Sequence, residues 1–159
     1  MKGTKIKNLV SRVKSIYNTE DPIEILSMRG VDVLDINLDD DMDYFQGAYI
    51  GNENLNMVLY NKGLEYHNKK VVLWHETGHV FTKGRCNFRS ITEDISSYSE
   101  ARDEKEADIF TAEALIDDNT FLEYLKFYRY TEEQIANDLH IPVKYVRFKY
   151  ENIDKSKLY

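Results

Sequence analysis

Two of the four histidines in this 159-residue chain stand four residues apart. They lie in the stretch Val71-Val72-Leu73-Trp74-His75-Glu76-Thr77-Gly78-His79-Val80-Phe81. On an α-helix that spacing projects both imidazoles from one face, where they can reach one metal ion. The intervening glutamate then sits beside the open coordination position as a general base. The chemistry predicted is metal-assisted hydrolysis, with His75 and His79 as ligands and Glu76 as the base. Apolar residues on both flanks predict a buried helix, from about Leu64 to Thr82, with its back in the core.

Two histidines make half a site, because catalytic zinc usually takes three protein ligands and leaves a fourth position for water. Cys86 follows His79 too closely to reach back easily onto the same ion. His67 precedes His75 by about two helical turns, and His140 lies in a distant segment. Carboxylates on the next helix, from about Glu100 to Ile116, remain. Glu104 and Asp108 are four apart and share a face beside the stripe Ala107, Phe110 and Ala114. Glu104 is assigned as the third ligand. Asp108 is assigned as the acceptor for the outer N–H of a ligating imidazole, which would fix the ring's tautomer and orientation. Glu106 is the alternative ligand. Tyr98 and His67 are candidates to stabilise an oxyanion, although a structural role is the first reading of each.

The elements that must position these residues follow from periodicity. Ile6, Leu9, Val10, Val13, Ile16 and Tyr17 recur at three and four residues and predict an amphipathic first helix. Asp21-Pro22 predicts the capped start of a short second helix, with Gly30 placed to end it. Val31 to Ile36 reads as a strand. The acidic run Asp39 to Asp43 lacks the glycine and distal glutamate of a calcium-hand loop and reads as a solvated turn. Gln46 to Ile50 and Leu55 to Tyr60 flank Gly51-Asn52-Glu53-Asn54 and predict an antiparallel hairpin. The second of these strands is the expected free edge along which an extended substrate could pair. The polar stretch from Arg85 to Ser99 is expected to border the cleft.

Composition narrows the class. Hydrophobic residues at 42% and aromatics at 13% suffice for a core. A net charge of -7 with a sequence pI near 5.1 disfavours a general nucleic-acid binder. The single cysteine rules out an intramolecular disulfide framework and fits a reducing compartment. No signal-peptide pattern or membrane-length apolar run is present, so a cytoplasmic location is expected.

The motif His75-Glu76-Thr77-Gly78-His79, followed by Glu104-Lys105-Glu106-Ala107-Asp108-Ile109-Phe110-Thr111-Ala112, resembles the ImmA/IrrE family of small bacterial and phage metallopeptidases. The resemblance covers roughly residues 20 to 150. It implies zinc held by His75, His79 and Glu104, with Glu76 as catalytic base in a gluzincin-like arrangement. It also implies a protein substrate, a helix-turn-helix transcriptional repressor, and an anti-repressor role for a prophage, mobile element or stress regulon. The chain departs from the family pattern at Ala114-Leu115-Ile116-Asp117, where a proline is usual, and at Thr111, where alanine is common.

The expected architecture is α+β: a zincin-like minimal metallopeptidase with a small three-stranded sheet packed on the active-site helix, then a helical C-terminal segment. The expected division is a core over residues 1–117 and a helix-turn-helix-like segment over 118–159, packed on the core. Asp118-Asn119 and the capping box Thr131 to Gln134 open helices there. Lys144, Arg147 and Lys149 on the last helix could contact phosphates. The rival function is therefore a non-catalytic DNA- or repressor-binding regulator with a structural zinc. The acidic balance disfavours direct DNA contact. A metallopeptidase with an unrelated protein substrate is the remaining alternative.

Overall fold

The structure is a computed structural model that describes residues 3–39, 44–83 and 97–158, with the backbone alone for 97–100. The run Asp40 to Asp43, the stretch from Gly84 to Ser96 with Cys86, and the Tyr98 side chain therefore lie outside the described residues. The element order is α1 (Gly3–Tyr17), α2 (Pro22–Met28), β1 (Asp32–Ile36), β2 (Gly47–Gly51), β3 (Asn56–Asn61), α3 (Tyr66–Thr82) and α4 (Ser97–Leu115). Then come α5 (Asp118–Glu123), which runs into a π-helical turn, α6 (Glu132–Leu139) and α7 (Val143–Asn152). The architecture is α+β, with one small mixed sheet among helices.

α3 is the axis of the molecule. Its residues from Val71 to Val80 are buried except for a partly open His75. A helix apolar on nearly every side needs cover on nearly every side, and two layers provide it. Val72, Leu73 and Val80 pack with Leu26 of α2, with Val31 just before β1, and with Val58 and Tyr60 of the sheet. On the other side Trp74 packs with Ile6, Val10 and Val13 of α1 and with Phe110 of α4. The first-helix stripe is thus met at Ile6, Val10 and Val13. Ile16 is 68% exposed, while its neighbour Tyr17 packs against the core beside Phe81. Lys14 reaches across to the Ala114 carbonyl of α4, 2.7 Å away, a cation at a helix C-terminus.

The local signals act as their chemistry requires. The Asp21 side chain accepts from the Ile23 amide at 2.8 Å, and Gly30 takes the left-handed conformation after α2, at φ 78°. β2 and β3 form the antiparallel hairpin, with Gly47 opposite Tyr60, and β1 runs parallel to β3 on its far side. The strand order β1-β3-β2 makes β3 the centre of the sheet. The expectation that the strand from Leu55 to Tyr60 is the free edge is therefore corrected: the edge beside α3 is β2. α4 begins at Ser97 rather than near Glu100. α5 is capped by Asp117, one residue before the pair expected, and Thr131 with Gln134 forms the capping box of α6.

The C-terminal helices have their own apolar cluster of Ile116, Phe121, Ile135, Ala136, Val146 and Ile153. A charged joint also ties them to the rest. Lys149 on α7 lies 2.7 Å from Glu113 of α4 and 2.7 Å from Asp118 of α5, with side chains of Lys149 and Glu113 only 1% and 3% exposed. Lys7 of α1 also pairs with Asp118. Burial is expected to raise Glu113, and the Lys149 charge opposes it.

Removing one partner of a buried pair leaves an uncompensated charge. Lys149→Ala is therefore expected to cost about 3–5 kcal/mol, read as a lower urea midpoint. Replacing both partners, Lys149→Met with Glu113→Leu, is expected to recover most of that loss in the same experiment.

Candidate metal centre and its cleft

α3 and α4 cross closely. A Cβ built on Gly78 would lie 3.0 Å from both the Cα and the carbonyl oxygen of Ala107, so only glycine fits there without displacing α4. Glu104 precedes Ala107 by three residues, while His75 and His79 flank Gly78, so the close crossing carries the carboxylate to the two imidazoles. His75 Nε2 and His79 Nε2 are 3.1 Å apart. Glu104 Oε2 lies 3.1 Å from His75 Nε2, and Glu104 Oε1 lies 3.1 Å from His79 Nε2.

The two imidazole nitrogens and the Glu104 carboxylate thus form a triangle in which each nitrogen meets a different carboxylate oxygen. Tetrahedral zinc with bonds of about 2.0 Å has ligand atoms roughly 3.3 Å apart, close to these separations. Two imidazole nitrogens also face each other at contact distance, an arrangement that calls for a cation or proton between them. The residues thus fit a divalent metal ion, and His75, His79 and Glu104 are the group among the described residues whose ligand atoms converge in this way.

Asp108 stands behind His75, its Oδ1 3.1 Å from the ring's Nδ1. The pair stands at ion-pair distance rather than in an aligned hydrogen bond. His79 Nδ1 has no hydrogen-bond partner among the described residues. Glu106, the alternative ligand, is buried and outside the converging group. His67 is also elsewhere, with its ring stacked on His140 at 4.4 Å. Its candidacy as an oxyanion partner is corrected by that placement. Two imidazoles in sequence-distant segments carry no signal of stacking before the fold is known.

Glu76 is buried, and burial raises its carboxyl above the usual range, opposed by the nearby His79 and His75. The backbone amide of Tyr49 on β2 donates a hydrogen bond to it. This contact needs β2 to lie directly on α3, and Gly47 permits it: a Cβ there would stand 2.6 Å from Val72 Cγ1 and 3.4 Å from Glu76 Cγ. Hydrogen bonds with His75 and His79 hold Glu104 well below the ordinary carboxylate range. Burial would lower His75, but Asp108 and Glu104 outweigh it and raise the imidazole to about 9.

The triangle opens onto a cavity of about 510 Å³. Gln46 and the first residues of β2 to Tyr49 form one wall, and Pro142, which caps α7, forms another with Lys144 and Tyr145. In the sequence Lys144 reads as a possible phosphate contact, and Tyr145 is not singled out. Nothing in their spacing relative to the His-Glu-x-x-His motif could bring them to it. Lys144 Nζ is 3.0 Å from Asp108 Oδ1, Arg147 Nε is 2.8 Å from Glu132, and Lys149 is buried on Glu113 and Asp118. All three cations of the supposed recognition helix are therefore paired with this chain's own acids.

A small mixed sheet on a buried His-Glu-x-x-His helix, with an acidic side chain supplied from the next helix, is the frame of a metallopeptidase-like domain. Residues 27–151 match the IrrE N-terminal-like domain of the peptidase family M78, and the chain belongs to that family. It is also similar to uncharacterized immunity region protein 2 of Bacillus phage phi105. The two are 27% identical over 146 residues, covering 92% of this chain and 89% of that protein. No described helix is long and apolar enough to cross a membrane.

Two outcomes follow from this geometry. Gly78→Ala forces α3 and α4 apart, with an expected loss of about 1–3 kcal/mol in stability and weaker zinc binding, read by thermal melting and by zinc titration. Metal must also displace the proton on His75, which is bound below a pH of about 9. Zinc affinity in chelator competition should thus fall by about tenfold for each pH unit below that value, with one proton released. Above it the dependence should flatten.

Proposed function

We propose that this protein is a zinc-dependent endopeptidase and that its substrate is a helix-turn-helix repressor of a phage, mobile element or stress regulon. The observation that carries the chemistry is the triangle of His75, His79 and Glu104 with Glu76 beside it at the wall of an open cavity. A structural zinc is normally closed by four protein ligands, whereas a catalytic one keeps a position free. Three converging ligand atoms facing a cavity support the second case. The substrate class rests on the family resemblance, in keeping with the immunity region named for the similar phage protein.

When bound, the ion would supply Lewis acidity to the scissile carbonyl and acidify the attacking water. The chain's own residues would do the rest. Glu76, held by the Tyr49 amide, takes the proton from the water and returns it to the leaving amine. Its burial raises its proton affinity, which suits a group that must accept and then donate. Asp108 orients the His75 ring from behind.

β2 is suited to hold the substrate backbone. The Gln46 carbonyl accepts from the Asn61 amide at 2.9 Å, so the even-numbered residues of β2 bond to β3. Alternation in an antiparallel ladder then turns the backbone groups of Gly47 and Tyr49 toward the free edge beside the site. An extended peptide can add there as a further strand. The DNA-binding alternative gains no support from α7, whose cations are engaged internally and leave no unpaired basic patch on that helix.

Glu76→Gln is expected to retain zinc and lose about 100-fold or more of the proteolysis. The decisive comparison is of protein termini by mass spectrometry in host cells expressing the wild type or Glu76→Gln. A new terminus inside a helix-turn-helix regulator, present only with the wild type, is the expected result. A terminus in an unrelated protein would retain the peptidase and discard the repressor. Proteolysis that survives Glu76→Gln would remove the general-base assignment.

A further inference from the structure

α7 reaches the metal centre from behind His75. The Asp108 side chain, 14% exposed, has its Oδ1 3.1 Å from His75 Nδ1 and 3.0 Å from Lys144 Nζ. The Tyr145 phenol lies beside the same carboxylate, and burial together with that charge pushes the phenol above its usual range. Its ring is buried with Val71 and Ala112, and the Lys144 ammonium lies 4.8 Å above it. One carboxylate of α4 is thus met by three groups, and two of them are consecutive residues of α7. α7 is itself fixed to α4 one turn further on, where Lys149 meets Glu113.

Resting on the metal-centre reading above, we propose that Lys144 and Tyr145 are positioning residues for the bound metal. They hold Asp108 against the outer nitrogen of His75 and so make the C-terminal helix a working part of the centre.

A carboxylate with one neighbour can turn about its side-chain bonds toward water, and the imidazole it serves then loses its fixed orientation. A direct bond from Lys144 and the buried Tyr145 ring beside a mostly buried carboxylate restrict that freedom. An opposing effect must be weighed, since the Lys144 cation draws charge from Asp108 and repels a divalent ion. The Lys144 side chain is 51% exposed, so solvent and salt screen its long-range repulsion, whereas the 3.0 Å contact with Asp108 is direct. Orientation therefore outweighs repulsion, and losing Lys144 should weaken metal binding rather than strengthen it.

The test is zinc affinity of the full chain, measured by chelator competition at fixed pH, with the cobalt(II) absorption spectrum reporting ligand geometry. Lys144→Met and Tyr145→Phe are each expected to weaken zinc binding about three- to tenfold, and Asp108→Asn roughly tenfold or more. Lys144→Arg should restore both the affinity and the cobalt spectrum, which a loss of packing alone would not explain. In an Asp108→Asn background, Lys144→Met should add almost nothing, because the two act through one contact. Unchanged or tighter zinc binding in Lys144→Met would overturn the proposal, as would a full additional loss in the Asp108→Asn background. Lys144 projects half into solvent, and Tyr145→Phe keeps the ring, so melting of the metal-free variants should stay near wild type. A wild type that binds no zinc, or a His79→Ala variant that binds it equally well, would instead bring down the metal-centre reading itself.

Discussion

The site depends on how closely two helices can approach. Gly78 and Ala107 meet where α3 crosses α4, and a single methyl group on Gly78 would collide with the opposite backbone. The acidic corner of the triangle is placed by that contact. The histidines are fixed on α3 by its burial between sheet and helices, but Glu104 belongs to a helix that begins well after α3 ends. Its carboxylate, partly open to solvent, has no comparable enclosure to hold it there. The helix crossing, rather than the packing of Glu104 itself, brings the third corner to the other two.

The electrostatics follow from the same closeness. Acids and bases are drawn together in a poorly solvated volume, and each shifts the others. Glu104 is pulled down by the imidazoles, while His75 is pushed up by the carboxylates despite its burial. Glu76 moves the opposite way from Glu104, because burial dominates for it and the hydrogen bond from β2 only moderates the effect. Two glutamates within one site thus differ in proton affinity, and the physical causes are solvent access and the number of direct partners.

The parts legible in the sequence were those written in local spacing. The histidine pair, the helix around it, the capped α2 and the hairpin turn all follow from residues within a few positions of one another. Glu104 and Asp108 could be selected because their spacing gives one face and because few other ligands exist. The sheet order was not legible, since β1 and β2 have equal claim to either side of β3 until α2 and α3 are packed. The roles of Lys144, Tyr145 and Lys149 were hidden for a similar reason. A basic, aromatic-bearing helix reads as a nucleic-acid surface unless its acidic partners, supplied from α4, α5 and α6, are known to lie against it.

The hairpin carries one further implication. The amide of Tyr49 is already committed to Glu76, while Gly47 presents its amide and carbonyl to the same open margin. A guest backbone laid along β2 would find these valences unequal, one donor being spent on the protein's own carboxylate. The margin therefore has a phase. A peptide displaced by two residues would trade the free glycine for the occupied tyrosine, and one displaced by a single residue would turn its side chains to the opposite face. Selection among guest segments would then begin with main-chain alignment, before any side chain is read.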